Sequence, residues 1–174
     1  DVLEALKQFK CDFSVYGRIK RRKSDNGGEY IAGRLKIWCR DNNVIQHFTC
    51  PETPEQNGTA ERCWGVLKAM ARHMMIESEM APSFWQRAMA TAVYLCNRLP
   101  TKNCPGISPL ESLTGVRPDD SHLRRFGCLA FAVPPGYKKS FQPRTEAGIF
   151  VGYTAEGYVI YIPQRNFFLR SASV

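Results

Sequence analysis

Two carboxylates stand where chemistry can be done with them. Asp25 ends a short strand-like run, Arg18 to Ser24, and opens the turn Asp25-Asn26-Gly27-Gly28. In an α/β sheet the ends of strands are where ligands gather. Glu61 falls in the first turn of the longest helical pattern in the chain, behind a Pro- and Gly-punctuated loop from Thr49 to Gly58. On that helix Glu61, Gly65, Lys68 and Arg72 share one face. An acidic group followed by cations on one face suits a divalent metal with a phosphate backbone running past it. Two hard cations bridged by carboxylates can activate an attacking oxygen and stabilise a leaving one in phosphodiester chemistry. The plain alternatives are an Asp that forms a turn, a Glu that complements a helix dipole and a solvated basic face. Residue types alone favour those alternatives.

The elements that would position this pair follow from periodicity. Val2, Leu6, Phe9 and Phe13 recur at helical spacing, predicting a helix over residues 1–15. A second helix carries Ile31, Leu35 and Trp38 on one face and stops near Asn42-Asn43, before a strand from Val44 to Phe48. Ala60, Cys63, Trp64, Leu67, Met70, Ala71, Met74 and Met75 predict an apolar stripe along the long helix. Pro82 and Ser83 open another helix with Trp85, Ala88, Ala92 and Leu95 on its apolar face, stopped at Pro100. This order is an α/β layered pattern. Residues 101–124 have few periodic positions and read as a linker. Four short strands are predicted beyond it, Gly127–Val133, Gly148–Tyr153, Tyr158–Ile162 and Asn166–Arg170, at turn spacings suited to a small antiparallel barrel.

Composition sets the class. The 174 residues are 44% hydrophobic and 23% charged, the balance of a globular chain with a packed core. No apolar run approaches 18 residues, so no membrane partner is expected. The opening residues, with no initial Met, suggest a piece of something longer. Lys and Arg number 24 against 16 acidic residues, a net charge of +8 that favours polyanionic partners. Cys11, Cys39, Cys50, Cys63, Cys96, Cys104 and Cys128 are odd in number and form no Cys-x-x-Cys pair, a reducing-compartment pattern. His47 and Cys50 have ligand-like spacing, but no second such pair completes a structural zinc site. The Met residues of the long helix read as core. His73 and His122 have no assignable role.

The wording around the two acids resembles one family. Ser24-Asp25-Asn26-Gly27-Gly28-Glu29-Tyr30 and Thr53-Pro54-Glu55-Gln56-Asn57-Gly58-Thr59-Ala60-Glu61-Arg62 are similar to the two signature segments of the copia-type retrotransposon integrase core. Between Asp25 and Glu61 lie 35 residues (61 − 25 − 1), the interval that names these D,D-35-E enzymes. Phe84-Trp85, Asn97-Arg98-Leu99-Pro100, Ser108-Pro109 and Phe126-Gly127-Cys128 match in order. Gly148-Ile149-Phe150-Val151-Gly152-Tyr153 resembles the SH3-like module that follows the core.

The resemblance implies an N-terminally truncated ribonuclease-H-like core, a mixed sheet with flanking helices, over residues 1–100. A linker over 101–124 and an SH3-like β module over 125–174 would follow. It implies DNA integration by metal-dependent polynucleotidyl transfer, with 3′-end trimming followed by strand transfer. Asp25 and Glu61 would be ligands of Mg²⁺ or Mn²⁺. Gln56, Asn57, Lys68 and Arg72 would contact DNA, the last two through its backbone. The intact enzyme would be a homo-multimer acting in the nucleus. The family's first catalytic Asp lies on a strand upstream of the opening helix, and Asp1 and Asp12 fall in the wrong element to replace it. The chain alone is therefore expected to be inactive. Arg22 also stands where the family carries an apolar residue, and a charge on the buried side of a strand is costly unless paired. Two further readings stay open: a non-catalytic nucleic-acid-binding or interaction remnant of a decayed or host-reused element, and an unrelated basic α/β protein.

Overall fold

A computed structural model describes residues 2–31, 33–49, 58–101, 105–133 and 145–172. The chain divides into two compact units, Asp1–Trp64 and Gly65–Val174.

The first unit is built around a β-α-β crossover. Helix α1 (Val2–Asp12) precedes strand β1 (Arg21–Ser24); helices α2 (Gly28–Ile31) and α3 (Gly33–Asp41) lead to strand β2 (Ile45–Phe48). β1 and β2 pair in parallel, with Arg22 opposite Gln46 and Ser24 opposite Phe48. Parallel neighbours need a crossover connection, which α2 and α3 supply. Helix α3 stops where Asn43 takes a left-handed conformation, φ 55°, and the Val44 N–H reaches back to the Cys39 carbonyl at 2.8 Å. Asn tolerates that conformation because its short side chain is not β-branched. The core of this unit is Leu3 from α1 with Leu35 and Cys39 from α3 and Val44, backed by Trp38, Tyr30 and Ile19. Phe9 and Ile31, placed by periodicity on apolar faces, are half exposed.

The second unit contains most of helix α4 (Gly58–Ser78), helix α5 (Trp85–Arg98), helix α6 (Pro109–Thr114) and four strands: β3 (Leu129–Ala132), β4 (Glu146–Thr154), β5 (Gly157–Ile162) and β6 (Phe167–Ser171). The strands form an antiparallel meander in sequence order. Their order is the one that the turn spacing predicted. A register shift between Phe150 and Gly152 marks a bulge in β4.

The meander is apolar on both faces. Ala130, Ala132, Phe150, Ile160, Ile162 and Leu169 pack together on one. Val151 and Val159 project to the other, where they meet Leu67 and Ala71 of α4 and Ala88 and Ala92 of α5. Alternate side chains of a strand point to opposite faces, so the unbroken apolar runs at Ile149–Val151 and Tyr158–Ile162 require cover on both sides. The small residues of α5 let it approach closely: a Cβ on Gly152 would lie 3.2 Å from Thr91 Oγ1.

The stretch read as a linker is structured where it is described. Ser108 caps α6 by accepting the Glu111 N–H at 3.1 Å, Pro109 occupies the first turn, and Gly115 ends the helix at φ 73°. Ser108-Pro109-Leu110-Glu111 is a capping-box sequence. Its signal was in the chain but is overshadowed by the surrounding prolines.

Gly148 is a point of close packing. A Cβ there would sit 2.5 Å from Ile160 Cγ2 and 2.7 Å from both Ile162 Cδ1 and the Tyr161 carbonyl oxygen. Overpacking of this kind costs about 1–3 kcal/mol. Gly148→Ala is expected to lower the urea midpoint of unfolding by an equivalent amount, and an unchanged midpoint would show that the hairpin can give way.

Candidate metal and nucleic-acid site

Asp25 projects from the end of β1 and is exposed. Its Oδ1 accepts the Gly27 N–H at 3.2 Å, closing a short Asx turn. The turn is tied down on its other side. Asn26 donates from Nδ2 to the Thr49 carbonyl at 2.9 Å, and the Thr49 N–H donates to the Ser24 carbonyl at 3.0 Å. The carboxylate is thus held at the strand ends of the parallel pair, with one oxygen uncommitted to the turn. A carboxylate so placed can serve both as turn-former and as ligand.

Glu61 is exposed in the first turn of α4. Lys68 and Arg72, one turn apart on the same helix, are exposed as well. With Ala69, His73 and Ile76 they line an open groove of about 470 Å³. Gln56 and Asn57, expected near a DNA end, lie outside the described residues. Among the described residues no three His, Cys, Asp or Glu side chains are grouped closely enough to hold a metal ion. Neither Asp25 nor Glu61 therefore belongs to such a group.

The strand leading to Asp25 carries a polar face toward its own core. Arg22 Nη1, Ser24 Oγ and Gln46 Nε2 are buried with no hydrogen-bond partner, and Arg22 and Gln46 are direct neighbours across the pair. The guanidinium lies over the Tyr30 ring at 4.8 Å, which compensates only part of its lost hydration. Burial pushes the Cys39 thiol above the usual cysteine range, while the nearby Arg22 charge pulls it down. The cost anticipated for a charge at Arg22 is present in the structure.

Periodicity misled at the start of α4 and of α5. Trp64 and Trp85, assigned to apolar stripes, are 52% and 57% exposed. Met70, Met74 and Met75 are half-buried against the second unit's core, as read from the sequence. His122, to which no role was assigned, accepts or donates a 2.8 Å hydrogen bond with the Tyr94 hydroxyl. No local pattern flags that contact, because 28 residues separate the partners.

Comparison with known proteins places these features in a lineage. Residues 128–174 match the family model described as the retroviral polymerase SH3-like domain. Over 160 residues the chain is 35% identical to the retrovirus-related Pol polyprotein from transposon TNT 1-94 of Nicotiana tabacum, a match covering 90% of this chain and 12% of that polyprotein. The chain is a homologue of the Pol polyproteins of copia-type plant transposons. It spans about a tenth of the length of the curated relatives it matches.

The fold agrees. A chain of the simian T-cell lymphotropic virus intasome, solved in complex with a PP2A regulatory subunit, superposes with a TM-score of 0.54 at 17% identity, covering 98% of this chain and 64% of that one. The catalytic core domain of BIV integrase gives a TM-score of 0.50 at 19% identity, over 66% of this chain and 69% of that one. The architecture is α/β with the ribonuclease-H-like fold of integrase cores, and residues 128–174 match an SH3-like domain.

Arg22 offers a direct test of the polar strand face. Arg22→Leu removes an unsatisfied buried donor, worth about 1–3 kcal/mol, and forfeits a cation–π contact of about 0.5–1 kcal/mol. The variant is expected to be more stable in urea by about 1 kcal/mol. A loss of stability would mean that the guanidinium is better satisfied than its contacts indicate.

Proposed function

We propose that this chain is the part of a retrotransposon integrase that carries two of its three metal-binding carboxylates, and that the parent polyprotein joins element DNA to target DNA. The observation that carries the reading is the placement of Asp25 in a turn pinned at the ends of a parallel strand pair, in a chain homologous to Pol polyproteins. Asp25 and Glu61 are hard oxygen donors of the kind Mg²⁺ and Mn²⁺ prefer. Their chemistry fits such an ion; their number does not complete a site. We therefore assign them as two ligands of a site whose remaining protein ligand comes from another part of the parent protein, and this chain alone as inactive. When bound in the complete site, the ions would activate the attacking oxygen and stabilise the leaving one.

Lys68 and Arg72 act as backbone contacts, which position DNA without reading its sequence. Gln56 and Asn57 are proposed to lie near the DNA end. The division into a core over 1–100, a connecting segment over 101–124 and an SH3-like module over 125–174 belongs to the same reading. So do a homo-multimeric enzyme and a nuclear site of action, where target DNA lies.

A second reading draws on the buried, hydrogen-bond-free Nη1 of Arg22: a decayed or reused copy that retains DNA binding without catalysis. A buried donor left unmade is a stability cost of the kind that decay introduces.

Two measurements separate these readings. In the integrase region of the parent polyprotein, supplied with Mg²⁺ or Mn²⁺, Glu61→Gln should reduce DNA joining to the uncatalysed background while leaving DNA binding intact. Joining that survives this change refutes the role of Glu61, and joining that never occurs in the unmodified protein supports the remnant. For binding, each of Lys68→Ala and Arg72→Ala should weaken affinity uniformly across DNA sequences and reduce the slope of log K against log salt by about 1. A sequence-dependent loss would show base contact instead.

A further inference from the structure

We infer that the segment from His122 to Cys128 is a clasp that fastens α4 and α5 to the β meander, so that the second unit opens and moves as one body. The segment follows the stretch that reads as a flexible connection, yet it is bonded to four different elements. The His122 ring meets the Tyr94 hydroxyl of α5 at 2.8 Å, and its carbonyl accepts from the Tyr158 hydroxyl of β5 at 3.1 Å. Tyr153 of β4 binds both sides of one peptide position: its hydroxyl accepts the Arg124 N–H at 2.7 Å and donates to the Arg124 carbonyl at 3.1 Å. Arg125 pairs with Glu77 of α4 at 2.8 Å. Beyond it the Gly127 N–H donates to the Phe150 carbonyl at 2.8 Å, and the Phe150 N–H to the Cys128 carbonyl at 2.9 Å.

Packing reinforces these bonds. Tyr94 and Tyr153 stack with ring centroids 4.2 Å apart, and the His122 ring stands nearly perpendicular to both. Phe126, 4% exposed, enters the core that Leu67, Ala88, Ala92, Val151 and Val159 share. Gly127, at φ +80°, passes so close to Ser78 that a Cβ would collide with the serine's own. Burial also pushes the phenols of Tyr94 and Tyr153 above the usual tyrosine range.

The physical consequence is cooperativity. The meander cannot separate from α5 without exposing Val151, Val159 and Phe126 together and breaking the partly buried hydrogen bonding that centres on His122. Local openings become costly when every element shares one core and one set of bonds, and a shared opening replaces them. A β module joined through a flexible tether would instead exchange and unfold independently of the helices. The inference holds whether or not Lys68 and Arg72 contact DNA; if they do, the outer face of α4 reports its position directly to the β module.

Native-state hydrogen exchange in rising urea tests this on the intact chain. The amides of Thr91 and Ala92 in α5 and those of Phe150 and Ile160 in the meander are expected to converge on one opening, with the same urea dependence. Separate isotherms, with one set exchanging through an opening the other does not share, would overturn the clasp. A variant provides an independent reading. Ile160→Val trims a side chain on the meander face away from the helices and should speed exchange at Phe150 by about 2- to 10-fold. In a one-body unit Thr91 and Ala92 speed up by the same factor. If Ile160→Val accelerates the meander and leaves α5 unchanged, the two parts are independent. Should the variant fail to fold, the urea isotherms of the unmodified chain still decide.

Discussion

The β4–β5 hairpin has apolar side chains on both faces, and each face must be removed from water. Phe150 and Ile160 turn one way into the meander's own core, and Val151 and Val159 turn the other way onto α4 and α5. At roughly 1.5–3 kcal/mol for each large aliphatic or aromatic side chain buried, leaving one face uncovered would cost more than a small β module can spare. This constraint explains why the helices and the sheet share a core, why α5 presents Ala88, Thr91 and Ala92 to the sheet, and why the polypeptide between them is held in place. Thr91 can be buried because its hydroxyl is satisfied by the Arg87 carbonyl at 2.9 Å.

The first unit obeys a weaker version of the same rule. Its core of Leu3, Leu35, Cys39 and Val44 is small, and the strand pair contributes polar side chains to the inner side. A parallel pair is ordinarily apolar on both faces. Here Arg21, Lys23 and His47 alternate with Arg22, Ser24 and Gln46, so neither face is rich in apolar groups. The pair is held by its backbone ladder and by the Asn26–Thr49 tie more than by side-chain burial. That economy places Asp25 at a defined position while leaving it exposed, a combination that suits a ligand and does little for stability.

Much of this was legible in the chain. The strands of the meander and the helices α1, α3, α4 and α5 were recognisable because hydrophobic period is a local property, encoded within a turn or two. The acid pair was conspicuous only through its wording, since Asp in a turn and Glu at a helix start are common for structural reasons. What escaped was non-local or masked by stronger signals. The α6 capping box sat among prolines. Trp64 and Trp85 fitted an apolar stripe, yet period tells which residues share a face and not how far each is buried.

The sequence by itself determined the lineage and most of the element types, because each is written in residue identity and short-range spacing. Only the tertiary structure decided that Arg22, Ser24 and Gln46 bury orphaned polar atoms on one face, and that no three His, Cys, Asp or Glu side chains group as a metal site among the described residues. It alone brought the His122 ring to the Tyr94 hydroxyl. Those outcomes depend on which side chains meet across tens of residues, and a contact between Tyr94 and His122 leaves no periodic trace in either segment.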